Sequence, residues 1–110
     1  MDNPNKIREL HHKAMRLVDE SDKMRRLGYT DLVNPLIERA YELELESASL
    51  SVTEPSRSVL YRGAATLAWR CGRFDDARKA IALGCTDATH PEIRDEFHDL
   101  LKQLPESTTL

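Results

Sequence analysis

The chain has 110 residues, 40% of them apolar and 5% aromatic, and 16 Lys+Arg stand against 19 Asp+Glu for a net charge of −3. That length suits one domain rather than two, and no apolar run approaches the roughly 20 residues of a membrane span. A membrane-spanning protein, a disulfide scaffold, a collagen-like chain and a broadly basic nucleic-acid coat are excluded. The opening Met1-Asp2-Asn3-Pro4 is polar and acidic, unlike a secretory signal. The expectation is therefore one soluble, all-α, cytoplasmic domain over residues 1–110.

Residues 5–27 carry Leu10, Ala14, Leu17, Ser21 and Met24, with Leu27 beyond. Steps of three and four keep these side chains on one helical face, and Gly28 supplies a left-handed stop. A second helix is predicted over about 31–49, with Val33, Leu36, Ile37, Ala40, Tyr41, Leu43 and Leu45 as its apolar set. Proline is comfortable only in a first turn. Either Asn34 caps a helix that starts at Pro35, or the helix starts near Thr30 and kinks. The Ser/Thr-rich stretch 47–54 is the best candidate for a loop. A third helix opens at Glu54-Pro55 with Thr53 as its cap, presents Val59, Leu60, Ala64, Leu67, Ala68 and Cys71, and ends at Gly72. A fourth covers about 74–84 with Phe74, Ala77, Ala80, Ile81 and Ala82, closed by Gly84. The fifth starts at Pro91-Glu92 with Thr89 as its cap, carries Ile93, Phe97, Leu100, Leu101 and Leu104, and stops at Pro105. Residues 105–110 are expected to fray. No segment has the pattern of a strand.

Little in the chain points to chemistry. Cys71 and Cys85 lack a CxxC spacing and each adjoins a glycine, which fits small buried thiols. His11, His12, His90 and His98 form neither an HExxH motif nor an i, i+4 pair. Phosphate-cradling, dinucleotide-binding, nucleophile-elbow and calcium-loop motifs are absent. The acidic pairs Asp19-Glu20, Asp75-Asp76 and Asp95-Glu96 are adjacent residues, and neighbours on a helix diverge by about 100°. Neither catalysis nor a metal or other cofactor is expected.

Two units of the chain look alike. Laid on their glycines, Gly28 matches Gly72, Val33 matches Ala77, Ile37 matches Ile81 and Ala40 matches Gly84; upstream, Leu17 matches Tyr61, Ser21 matches Ala65 and Met24 matches Ala68. The second unit, with Gly72-Arg73-Phe74-Asp75-Asp76-Ala77, Ala65 and Tyr61, resembles a tetratricopeptide (TPR) repeat. The interval between the two glycines exceeds the family's roughly 34 residues, and the additional residues fall between Tyr41 and Thr53. The resemblance implies two helical hairpins, 5–50 and 54–84, closed by a capping helix at 91–104. Small residues at Ser21, Ala65 and Ala77 would let facing helices approach closely, and a terminal helix would cover the last pair.

The resemblance also implies a groove lined by the first helix of each pair, presenting Val18, Asp22, Arg25 and Arg26, then Arg62, Thr66, Trp69 and Arg70. Residues 51–79 are net positive and residues 80–110 net negative. Tryptophan and arginine dominate interface hot spots. The functional expectation is a non-enzymatic adaptor that binds a partner protein or peptide through that groove or by stacking its helices into a larger array, with a second copy of the chain (a homodimer) as the alternative partner. Arg25, Arg26, Arg62, Thr66, Trp69 and Arg70 would take an acidic segment of that partner. The competing expectation is a small nucleic-acid-binding accessory protein using Arg25-Arg26 and the basic run from Arg70 to Lys79.

Overall fold

Five helices form in chain order in the computed structural model, which describes residues 3–106: α1 Pro4–Leu27, α2 Val33–Leu50, α3 Ser56–Arg70, α4 Phe74–Gly84 and α5 Pro91–Gln103. A 3-10 turn, Thr30–Leu32, joins α1 to α2. The fold is all-α, with no strand among the described residues. Each helix packs on the next, and α5 also packs on α3. The Ser47 hydroxyl of α2 donates to the Ile7 carbonyl of α1 at 2.9 Å, and Ser21 of α1 reaches toward the Val33 carbonyl at 3.5 Å. Those two links set α1 and α2 antiparallel. Ser58 lies against Gly84 in the same sense across α3 and α4. Helices α1, α3 and α5 therefore run in one direction, and α2 and α4 in the other.

Local chemistry accounts for the ends. The Asn3 side chain accepts from the Lys6 amide at 3.2 Å and caps α1. Gly28 and Gly72 take φ of +84° and +82°, a region open to glycine at no steric cost. These are the two equivalent turns inside the hairpins. Fully buried small residues line the contacts: Ala14 and Ser21 on α1, Ala40 and Ala48 on α2, Ala64, Ala65 and Ala68 on α3, and Ala77 on α4. Ile37, Tyr41, Leu60, Tyr61, Leu67, Ile81, Phe97 and Leu100 fill the space between them.

Several expectations are corrected. Pro35 is the third residue of α2, inside its first turn, and a 3-10 turn immediately precedes the helix. Asn34 is not the cap; helical structure does begin at Thr30, as a 3-10 turn that runs directly into α2. The stretch 47–54 is not all loop, because α2 runs to Leu50 with Ser47 and Ala48 fully buried. A small hydroxyl that bonds across to the Ile7 carbonyl is a packing residue, whatever its turn propensity. Helix α3 begins at Ser56, with Pro55 rather than Thr53 at the cap position. The cap of α5 is His90, whose Nδ1 accepts from the Glu92 amide at 3.2 Å. Thr89 instead serves the preceding helix: its buried hydroxyl donates to the Gly84 carbonyl at 3.0 Å and accepts from the Thr86 amide at 2.9 Å. Leu27, Val59, Leu101 and Ala82 point outward although the pattern assigned them to apolar faces. Leu104 lies just past the end of α5 and is buried. Of the tail expected to fray, 107–110 lies outside the described residues.

Candidate functional site

Three parallel helices make one face, and it contains two grooves. The first, about 390 Å³, lies between the N-terminal ends of α1 and α3 and is lined by residues that include Ile7, Arg8, His11, Val59 and Leu60. The second, about 350 Å³, lies between α3 and α5, with Arg62, Thr66, Trp69, Asp99 and Leu100 among its walls. Thus Arg62, Thr66 and Trp69 share a groove with α5, whereas Arg25, Arg26 and Arg70, expected in the same groove with them, do not line it. Trp69 is half-buried and packs against the core. The Thr66 hydroxyl donates to the Arg62 carbonyl at 3.0 Å. Arg62 pairs with Glu96 of α5, so the charge of this groove is balanced from its opposite wall.

A different balance holds at the C-terminal ends of α1 and α3. Asp22 Oδ1 accepts from Arg25 Nη1 at 3.1 Å and from Arg70 Nη2 at 3.3 Å. Two guanidinium groups share one carboxylate. Arg26, next in the chain, is exposed. The last turn of α5 adds Lys102. Basic residues therefore occupy the last turns of all three parallel helices, where each also complements the negative end of its own helix dipole.

The remaining arginines of the basic stretch are engaged. Arg73 bonds Asp76 at 2.8 Å and stacks over the Tyr41 ring. Arg78 bonds Asp75 at 2.8 Å. Arg57 donates to the Leu83 carbonyl at 2.6 Å, approaches Glu54 at 3.7 Å and lies over the Tyr61 ring. The run from Arg70 to Lys79 does not form a continuous row of open cations.

One polar pair escaped the sequence reading. Glu44 of α2 is only 2% exposed, and both of its carboxylate oxygens accept from His11 Nδ1 of α1, at 2.8 and 3.0 Å. Gly63 of α3 makes the room, since a Cβ there would sit 2.9 Å from Glu44 Oε2. The stripe Ile37, Ala40, Glu44, Ala48 places Glu44 among core positions, and a glycine inside a helix is the second signal. Burial raises the Glu44 pKa above its ordinary 4.5, outweighing the opposing hydrogen bond and charge of His11. A group whose folded-state pKa is raised adds most to stability below its unfolded pKa. That contribution disappears as pH rises through the folded value. Glu44→Gln should therefore remove the loss of stability that ionisation of Glu44 brings above about pH 4.5, with urea unfolding across a pH series as the measurement.

The thiols are structurally distinct. Cys71 is buried and its pKa is raised, chiefly by burial, whereas Cys85 is half-exposed. Among the described residues, no group of three or more His, Cys, Asp or Glu is placed to hold a metal ion. No helix among them is long and apolar enough to cross a membrane. Comparison of the chain with protein-family models, curated proteins and solved structures finds no match.

Proposed function

We propose that this chain is a TPR-like, non-enzymatic adaptor of the cytoplasm that grips an acidic segment of a partner protein at the C-terminal edge of α1 and α3. The single observation behind this reading is the sharing of Asp22 by Arg25 and Arg70. One carboxylate neutralises one of the two guanidinium groups, so the corner retains positive charge, increased by Arg26. A carboxylate from a partner would complete the pairing with charge-assisted bonds. Trp69 lines the neighbouring α3–α5 groove, on the other side of α3 from the Arg70–Asp22 contact. The two glycine turns at φ near +80° and the small buried residues of each hairpin support the TPR-like part of the reading. The ion pairs of Arg57, Arg73 and Arg78 weigh against the nucleic-acid alternative.

The test combines Arg25→Glu with Arg70→Glu. An acidic peptide labelled with fluorescein should bind the native chain and lose at least about ten-fold in affinity to the double variant, a penalty of about 1.4 kcal/mol. Equal binding by both proteins argues against the reading. Steeply salt-dependent retardation of RNA or DNA, with no peptide binding, would favour the alternative.

A further inference from the structure

We infer that the partner segment is acidic and apolar in combination, and that its apolar side chains dock on the tip of the first hairpin. This deepens the reading above and rests on it. The tip carries Leu27 at 57% exposure, Tyr29 at 58% and Leu32 at 50%. Three large apolar side chains thus stand half in water within one tight turn. That turn is held closed by the Gly28 amide on the Arg25 carbonyl at 3.1 Å, the Tyr29 amide on the Met24 carbonyl at 2.9 Å and the Leu32 amide on the Tyr29 carbonyl at 3.1 Å. Its backbone is therefore already organised. The equivalent turn of the second hairpin differs: Gly72 is followed by Arg73, engaged with Asp76, and by Phe74, which packs against the core. Exposed apolar clusters rimmed by charge are characteristic of interaction sites, and the contrast between two otherwise parallel turns singles out the first.

Charge selects the occupant. Arg25 and Arg26 immediately precede Leu27, so the apolar tip continues the basic corner formed with Arg70. A second copy docked tip to tip would oppose Arg25 and Arg26 of both chains, which repels. An anionic bilayer would press its uniform negative surface onto Asp31, which lies exposed between Tyr29 and Leu32. A peptide can instead direct its carboxylates to Arg25, Arg26 and Arg70 and its apolar side chains to the tip, leaving Asp31 in water. Burying one or two such side chains is worth roughly a factor of ten or more in affinity.

Fluorescence anisotropy with two labelled peptides tests this. One is glutamate-rich with two leucines, and the other carries serine in place of each leucine. The native chain should bind the leucine peptide at least about ten-fold more tightly. Leu27→Ser, Tyr29→Ser and Leu32→Ser combined should abolish that preference while leaving the serine peptide bound as before. Tyr29→Ser alone should reduce the preference, and it serves if the triple variant loses its helical circular dichroism. Equal affinity of the native chain for both peptides, with sensitivity to Arg70→Glu retained, would overturn this inference and spare the acidic-segment reading. No binding of either peptide would overturn both. Binding to vesicles of mixed phosphatidylcholine and phosphatidylserine that the triple serine variant loses, without peptide preference, would assign the tip to membranes and overturn the inference.

Discussion

Replacing Gly84 with alanine should destabilise the protein by about 3 kcal/mol or more, toward the upper end of overpacking effects. Gly84 is the final residue of α4 and is buried. A Cβ built there would lie 2.4 Å from the Tyr61 Cβ and 2.8 Å from the Phe97 Cζ. The Phe97 ring could rotate or shift. The Tyr61 Cβ cannot, because it is tied directly to the backbone of α3, so the added methyl group must push α4 away from α3. That movement also pulls the Gly84 carbonyl from the Thr89 hydroxyl that satisfies it. For a chain of this size the expected fall in Tm is roughly 15 °C. Thermal and urea unfolding monitored by circular dichroism check it, and a loss below about 1 kcal/mol would show that the two helices are not held at this separation. Close approach, rather than helix termination, is the reason for glycine at this position, since its φ is not among the positive values of the chain.

His11→Ala should cost about 2 kcal/mol, below the usual loss for breaking a buried ion pair because the imidazole is partly exposed. The penalty arises at Glu44. Without His11 its carboxylate stays in the crowded space under Gly63 with the His11 hydrogen bond removed. The Glu44→Gln substitution offers a separation of causes. In the His11→Ala background it should recover much of the loss, because a neutral amide costs less to bury than a charge. A double-mutant cycle of the two substitutions measures the coupling directly. Purely additive effects would mean that His11 contributes only its own packing. The pair joins α1 to α2 beneath the α1–α3 groove, so its loss should loosen α1 first. Hydrogen exchange of α1 amides, compared with those of α3, is the local readout.

The all-helical architecture was legible from periodicity because α1 and α5 bury one face and leave the other in water, while α3, packed on α2, α4 and α5, still repeats small and apolar residues at helical spacing. Leu10, Ala14 and Ser21 on α1, Ala77 and Ile81 on α4, and Phe97 and Leu100 on α5 were all placed correctly by spacing alone. Spacing failed where a residue type has two uses. Ser47 has the composition of a loop but donates a hydrogen bond from a helix interior, and Thr89 has the composition of a cap for the next helix but caps the end of the previous one. Leu27 and Leu101 continue the apolar spacing of their helices and are nonetheless exposed.

For the candidate site the division is sharper. That Arg25, Arg62, Trp69 and Arg70 stand on first helices of successive hairpins follows from order along the chain. Which carboxylate each arginine meets does not. Asp22 meets Arg70 from 48 positions away and Glu96 meets Arg62 from 34, separations at which helical periodicity carries no information. Glu44 makes the same point from the interior, since a carboxylate among apolar neighbours has no partner until α1 is laid on α2. Helix boundaries, glycine turns and inward faces come from forces acting within a few residues, and those are written locally in this chain. Charge balance along the α1, α3 and α5 face depends on how antiparallel packing brings every other helix side by side, and only the assembled bundle sets that register.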